Sequence, residues 1–225
     1  MAGNQKVNQA RAFAVGFLLI LSASLLSYHM WPDETVELKL KQDDTLAARY
    51  APVIVQGEGI KPEPSHIYYR MAEDDTRILI AYHITWPYEK DERRKGLEAI
   101  WNKMFYTGGL KLQQVIFGPE DNEVIEITVS KETGAILRLR YESGGHQGEE
   151  RSGEEVSKID RPYFEVTTWN HMFELTSYEP AQGKGIYHLP PEYFTDELWN
   201  YYRMTKKHQH LLSQDRAHLS WERRK

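Results

Sequence analysis

The side chains best suited to chemistry in this chain lie in one short stretch, Phe117-Gly118-Pro119-Glu120-Asp121-Asn122-Glu123. A Gly-Pro turn followed by three carboxylates and an amide clusters hard oxygen donors, the ligand type that Ca²⁺ or Mg²⁺ requires. His146 follows one expected hairpin later, within Gly144-Gly145-His146-Gln147-Gly148. If the intervening strands are neighbours, its imidazole approaches the acids. The candidate metal set is therefore Glu120, Asp121, Glu123 and His146. The spacing matches no standard cation loop, so an ordinary polar turn with an exposed loop histidine is the competing reading.

Other reactive groups are more isolated. His83 sits in the middle of an apolar run, where a lone histidine more often packs than reacts. His208-x-His210 lacks a third ligand nearby, and Glu165, Glu174 and Glu179 read as solvated strand positions rather than a glycosidase pair. Trp86, Trp101, Tyr163, Trp169 and Tyr178 read as core before they read as a carbohydrate platform. There is no Gly-x-Ser-x-Gly elbow, phosphate loop or dinucleotide fingerprint. With no cysteine, disulfides, thiolate zinc sites and thiol catalysis are excluded.

The elements that must position these residues follow from periodicity. Arg77-Ile-Leu-Ile-Ala-Tyr-His-Ile-Thr-Trp86 is nearly continuous in β-branched and aromatic residues, which predicts a central strand buried on both faces. Ile67–Met71 pairs with it as a hairpin across Asp74-Asp75. Further strands are expected at 53–55, where Pro52 forces the strand to begin after it or run at an edge, and at 110–117, 123–130, 135–141 and 163–178. Lys131-Glu-Thr-Gly134 has hairpin length and a glycine for positive φ. It would set Glu126 and Thr128 opposite Arg138 and Arg140 on a solvent face. Leu97, Ile100, Trp101, Met104 and Phe105 share one helical face, predicting an inserted helix over 89–106 whose charged start, Glu89–Lys95, is solvated. Residues 143–158 read as a mobile acidic loop. Thr195 caps a final helix after Pro190-Pro191. The summed pattern predicts a mainly β (α+β) fold: an antiparallel β-sandwich with one inserted helix, a C-terminal helix and an N-terminal transmembrane helix.

Several of these residues match a known family in order. Tyr50-Ala51-Pro52-Val53 opens the body, Asp121-Asn122-Glu123 opens a strand, His146 follows, and Trp169-Asn170-His171 supplies a further histidine. This arrangement resembles the necrosis-inducing-protein-like (NLP) cytolysins, β-sandwich domains with a Gly-His-x-His-Asp-Trp-Glu motif. The resemblance runs over residues 50–175 in the order of elements. It implies that Asp121, Glu123 and a histidine hold a divalent ion used to bind a membrane glycolipid headgroup. Both motif histidines are absent, with Glu120 in place of the second, and Asn122 stands in place of the tryptophan.

Residues 12–31 carry the compartment. Of the whole chain 27% is charged, yet these twenty residues contain no Asp, Glu, Lys or Arg. As a helix they span about 30 Å, the thickness of a hydrocarbon core. Lys6 and Arg11 precede them without an acid, which places the N-terminus in the cytoplasm. Tyr28 and Trp31 suit the far interface, and Pro32 stops the helix. The chain is expected in the membrane as a single-pass protein with its C-terminal domain extracytoplasmic. The alternative is secretion after cleavage near Ser24. The expected division is 1–31 signal-anchor, 32–49 linker or first edge strand, 50–190 β-sandwich-like domain, and 191–225 C-terminal helix and basic tail. A net charge of -5 argues against nucleic acid. The expected partners are the membrane and a cell-surface ligand or partner protein. Two functions fit: a non-enzymatic, membrane-tethered binding module at the cell surface, or an exported divalent-metal-dependent hydrolase acting on a glycan or phosphoester.

Overall fold

The computed structural model describes residues 39–89, 95–97, 120–144, 147–176 and 184–202, all within a compact unit that spans Val36–Trp221. In chain order the elements are β1 (Lys39–Lys41), α1 (Asp44–Tyr50), β2 (Val53–Gly57), β3 (His66–Glu73), β4 (Arg77–Trp86), β5 (Asp121–Ser130), β6 (Ile136–Ser143), β7 (Gln147–Ser152), α2 (Glu154–Ser157), β8 (Tyr163–Val166), β9 (Phe173–Thr176), β10 (Lys184–Tyr187), β11 (Pro191–Tyr193) and α3 (Asp196–Tyr201). A seven-stranded sheet runs β1-β3-β4-β5-β6-β7, with β11 also alongside β3, and a four-stranded sheet runs β10-β2-β8-β9. The architecture is a β-sandwich, mainly antiparallel. Two pairings are parallel, β2 with β8 and β3 with β11.

Strand alternation builds the core. Ile80, Tyr82, Ile84 and Trp86 of β4, Ile125 and Ile127 of β5, and Leu139 and Tyr141 of β6 face Ile54, Phe164, Val166 and Phe173 of the smaller sheet in one buried cluster. Phe164 meets Tyr141 edge-on at 5.1 Å between ring centroids, and Phe173 meets Phe164 at 5.9 Å. The opposite side of β4 is buried as well. Leu79 and Ala81 pack with Ala72 and Val124, and His83 is fully enclosed. Burial on both faces explains the unbroken apolar run in the sequence.

Several expectations hold. Residues 77–86 are central, β2 begins directly after Pro52, and the β5–β6 link turns at Gly134 with φ 68°. Thr195 caps α3 by accepting from the Leu198 N–H at 3.2 Å. Three expectations need correcting. Glu126 does face Arg140, and Thr128 does face Arg138, but Glu126, Thr128 and Arg140 are buried rather than on a solvent face. An Arg140 Nη1–Glu126 Oε2 contact of 3.3 Å offsets the cost of burying the two charges. The segment read as a loop over 143–158 contains β7 and α2. β7 is an edge strand whose Glu149, Glu150 and Arg151 keep it soluble while its backbone pairs with β6. The run 163–178 is not one strand. It contains β8 and β9, which form a tight return that carries Thr167–Met172.

The transmembrane segment expected at 12–31, the strand expected at 110–117, His146, the basic tail and most of the helix expected over 89–106 lie outside the described residues. No helix among the described residues is long and apolar enough to cross a membrane.

Candidate functional site

The site forms where β4 ends and β5 begins. Antiparallel pairing puts Asp121 opposite Trp86 and Glu123 opposite Ile84, so both acids lie on the inner face of the large sheet. Pro87 ends β4 at once, and the chain turns so that Glu89 joins them. One oxygen from each of Glu89, Asp121 and Glu123 lies within 4.8 Å of the other two. Asp121 and Glu123 are almost wholly buried, 6% and 3% exposed, and Glu89 is half-buried.

A histidine completes the cluster. His171 Nδ1 lies 2.7 Å from Asp121 Oδ2, and its ring stacks on the Trp86 indole at 4.4 Å and 6° between planes. Trp86 is itself pinned, donating from Nε1 to Gln56 Oε1 at 3.0 Å. The Gln56 amide donates onward to the carbonyls of Ile60 and Pro62. The return between β8 and β9 holds His171 in place. Its N–H donates to the Thr168 carbonyl at 3.1 Å, and the Met172 N–H donates to Thr168 Oγ1 at 3.0 Å. His171 Nε2 is buried without a hydrogen-bond partner among the described residues. Such an arrangement orients a ligating carboxylate from outside the coordination shell.

Two backbone outliers flank this cluster. Glu120 has φ 64° and His171 has φ 57°, the two non-glycine residues with positive φ among the described residues. Each costs about 1–2 kcal/mol for an L-residue, and both adjoin Asp121, one in sequence and one in space. Strain of this kind persists where surrounding contacts over-determine it, and it concentrates at functional sites.

The donor set has a definite chemistry. Three carboxylates supply hard oxygen ligands and no sulfur, which suits Ca²⁺ or Mg²⁺. Oxygens that share a Ca²⁺ at 2.3–2.6 Å are separated by at most about 5 Å, and this triad falls within that limit.

The structure separates the residues singled out from sequence. Asp121 and Glu123 come together. Glu120 turns to the other side of the sheet, where its Oε2 accepts from the Tyr202 hydroxyl at 3.0 Å. Burial first, and then the neighbouring Glu120 carboxylate, push the Tyr202 phenol well above its ordinary pKa, so it stays a donor. His83 also lies on that outer side, 3.4 Å from the Asn122 amide and edge-on to Phe194 and Trp199. Glu165 faces Glu174 across the strand pair and binds Lys184 at 2.5 Å. Glu89 falls in the charged run expected as a solvated helix start, and its sequence signal is its place two residues after the proline that ends β4. The sequence points to His171 only through the family resemblance, and to Trp86 only as a core residue.

No protein-family model matches the chain, and no curated protein matches it. Among solved structures it is similar to "NLPPya in complex with glucosamine", with 13% identity and a TM-score of 0.45 over 76% of this chain and 82% of that one. It is similar to "NLPPya in complex with mannosamine" with 12% identity and a TM-score of 0.45, covering 77% and 85%. A third structure, "Toxin fold for microbial attack and plant defense", shows 15% identity and a TM-score of 0.42 over 75% and 79%. The chain thus bears a weak resemblance to the NLP-type fold.

Proposed function

We propose that this chain is a non-enzymatic, membrane-tethered binding module on the extracytoplasmic side, and that it engages an oxygen-rich surface ligand through a divalent cation held by Glu89, Asp121 and Glu123. The observation that carries the reading is the convergence of three carboxylate oxygens within 4.8 Å, two of the carboxylates being buried. Hydrophobic residues 12–31, with Lys6 and Arg11 before them, support the tether. A bound Ca²⁺ would supply positive charge and open coordination positions, since Ca²⁺ takes six to eight oxygens. The protein's part is to fix the three carboxylates, with His171 orienting Asp121 and the Trp86 indole shielding His171. Hydroxyls of a glycan, or phosphate oxygens, are ligands of the chemical type that completes such a shell.

The test is calorimetry and thermal melting of the full chain in detergent with Ca²⁺, Mg²⁺, Mn²⁺ and Zn²⁺. At a free ion concentration about a hundred times Kd, linkage adds about 2.7 kcal/mol, or roughly 5–11 °C for a domain of this size. Calcium is expected to give the shift, and Asp121→Asn is expected to remove it. No heat and no shift from any ion would sink the cation reading. Addition of glycans and phosphoesters to the calcium-loaded protein then separates binding from turnover. Metal-dependent release of product would favour a hydrolase instead.

A further inference from the structure

Asp121 and Tyr202 lie on opposite sides of the large sheet, and Glu120 joins them. We infer that Tyr202, at the end of α3, is a positioning residue for the cation carboxylates: its hydrogen bond to Glu120 fixes where β5 begins and so aims Asp121 at Glu89 and Glu123. This rests on the cation reading of the triad.

The argument begins with alternation. Pairing with β4 sets the face that Asp121 and Glu123 take, but Asp121 is the first residue of β5 and has support from its own strand on one side only. The residue before it, Glu120, has φ 64°. An L-residue other than asparagine or aspartate holds that conformation only where contacts enforce it. The contact at hand is the Tyr202 hydroxyl donating to Glu120 Oε2 at 3.0 Å. Tyr202 is 4% exposed. Its ring packs against Tyr68 at 5.7 Å and Phe194 at 5.6 Å.

α3 is in turn fastened to β3. Arg70 lies over the Trp199 ring at 4.0 Å, its Nε donates to the Phe194 carbonyl at 3.1 Å, and it pairs with Asp196. The Phe194 N–H donates to the Tyr69 carbonyl at 2.8 Å. A rigid path therefore leads from β3 through α3 to Glu120, the residue before β5. The Glu120 carboxylate is committed to this path and withdrawn from the donor set.

The experiment uses the full chain in detergent, with two readouts: Ca²⁺ affinity by calorimetry, and hydrogen exchange of the 120–123 amides without the ion. Tyr202→Phe is expected to weaken Ca²⁺ binding about tenfold and to speed exchange at those amides by a similar factor, with a melting temperature within about 2 °C of the parent. Glu120→Ala should reproduce both effects from the other partner. The double variant should add little to Tyr202→Phe, which removes the bond to Glu120 together with that to Tyr68. Glu120→Gln keeps an oxygen acceptor and should bind Ca²⁺ nearly as the parent does. Unchanged affinity and unchanged exchange in Tyr202→Phe would overturn the inference. So would a Glu120→Gln loss as large as that of Asp121→Asn, which would make Glu120 a ligand. Faster exchange in a protein whose parent form binds no ion would sink the cation reading and leave the positioning role standing.

Discussion

Two fully buried histidines sit on opposite faces of the same sheet, each beside the start of β5. His171, on the inner face, bonds to the Asp121 carboxylate and lies flat against Trp86. His83, on the outer face, meets the neutral Asn122 amide and the edges of Phe194 and Trp199. One residue of strand separates the two environments. The inner face gathers charge with its orienting partner, which is how a cation site is built. The outer face gathers rings, which is how a helix is docked. A buried histidine therefore says little about function until the group on its ring nitrogen is known.

If the faces are specialised in this way, variants on each should have opposite signatures. Leu79→Ala opens a cavity on the outer face away from α3 and should cost about 2–5 kcal/mol while leaving Ca²⁺ affinity unchanged. Denaturant melts with parallel calorimetry check both halves, and a loss of affinity would break the division. Glu123→Gln should do the reverse. Ca²⁺ affinity should fall at least about a hundredfold, equivalent to about 2.7 kcal/mol, while the ion-free protein melts near the parent temperature, because the amide fills the space of the carboxylate. A marked fall in ion-free melting temperature would instead make Glu123 a structural group.

Acid lability can be assigned away from both faces. Burial tends to raise the Asp74 pKa, but hydrogen bonds from the Arg77 side chain and from the Thr76 and Arg77 N–H groups outweigh it and hold the pKa at about 2, below its ordinary 3.8. A depressed folded value contributes stability that is present above about pH 4 and lost as pH falls towards about 2. Asp74→Asn should therefore be destabilised by on the order of 2 kcal/mol near neutrality. The variant and parent should converge below about pH 2, read as melting temperature against pH. A difference that persists at low pH would point to turn geometry rather than charge. The smallest expected effect is that of His171→Asn, since asparagine tolerates the left-handed backbone. It should weaken Ca²⁺ binding by about tenfold through loss of the orienting bond. Equal loss in His83→Asn would erase the contrast between the two histidines.

Much of the scaffold was legible in the sequence because periodicity reports burial directly. The unbroken run 77–86, the alternation over 123–130 and 135–141, Pro52, Gly134 and Thr195 each state a local rule that the fold obeys. What misled was composition. Ser-Gly-Glu-rich 143–158 reads as a loop because charged edge strands share its residue types, and Glu126 reads as solvated because a buried ion pair looks like a surface one. Short strands such as β10 and β11 carry too few residues for a period to emerge. They exist because a partner strand offers its backbone.

The site divides in the same way. The sequence by itself marked Asp121 and Glu123, because a Gly-Pro turn followed by Glu120, Asp121, Asn122 and Glu123 clusters hard oxygen donors. It also marked the hydrophobic span at 12–31, because twenty residues without a formal charge need no tertiary context to be read. Only the tertiary structure brought in Glu89 from beyond the end of β4 and His171 from the β8–β9 return, and sent Glu120 to Tyr202. Those contacts join residues 32 to 82 positions apart. They depend on strand register and on two left-handed backbones, neither of which is encoded in a local pattern.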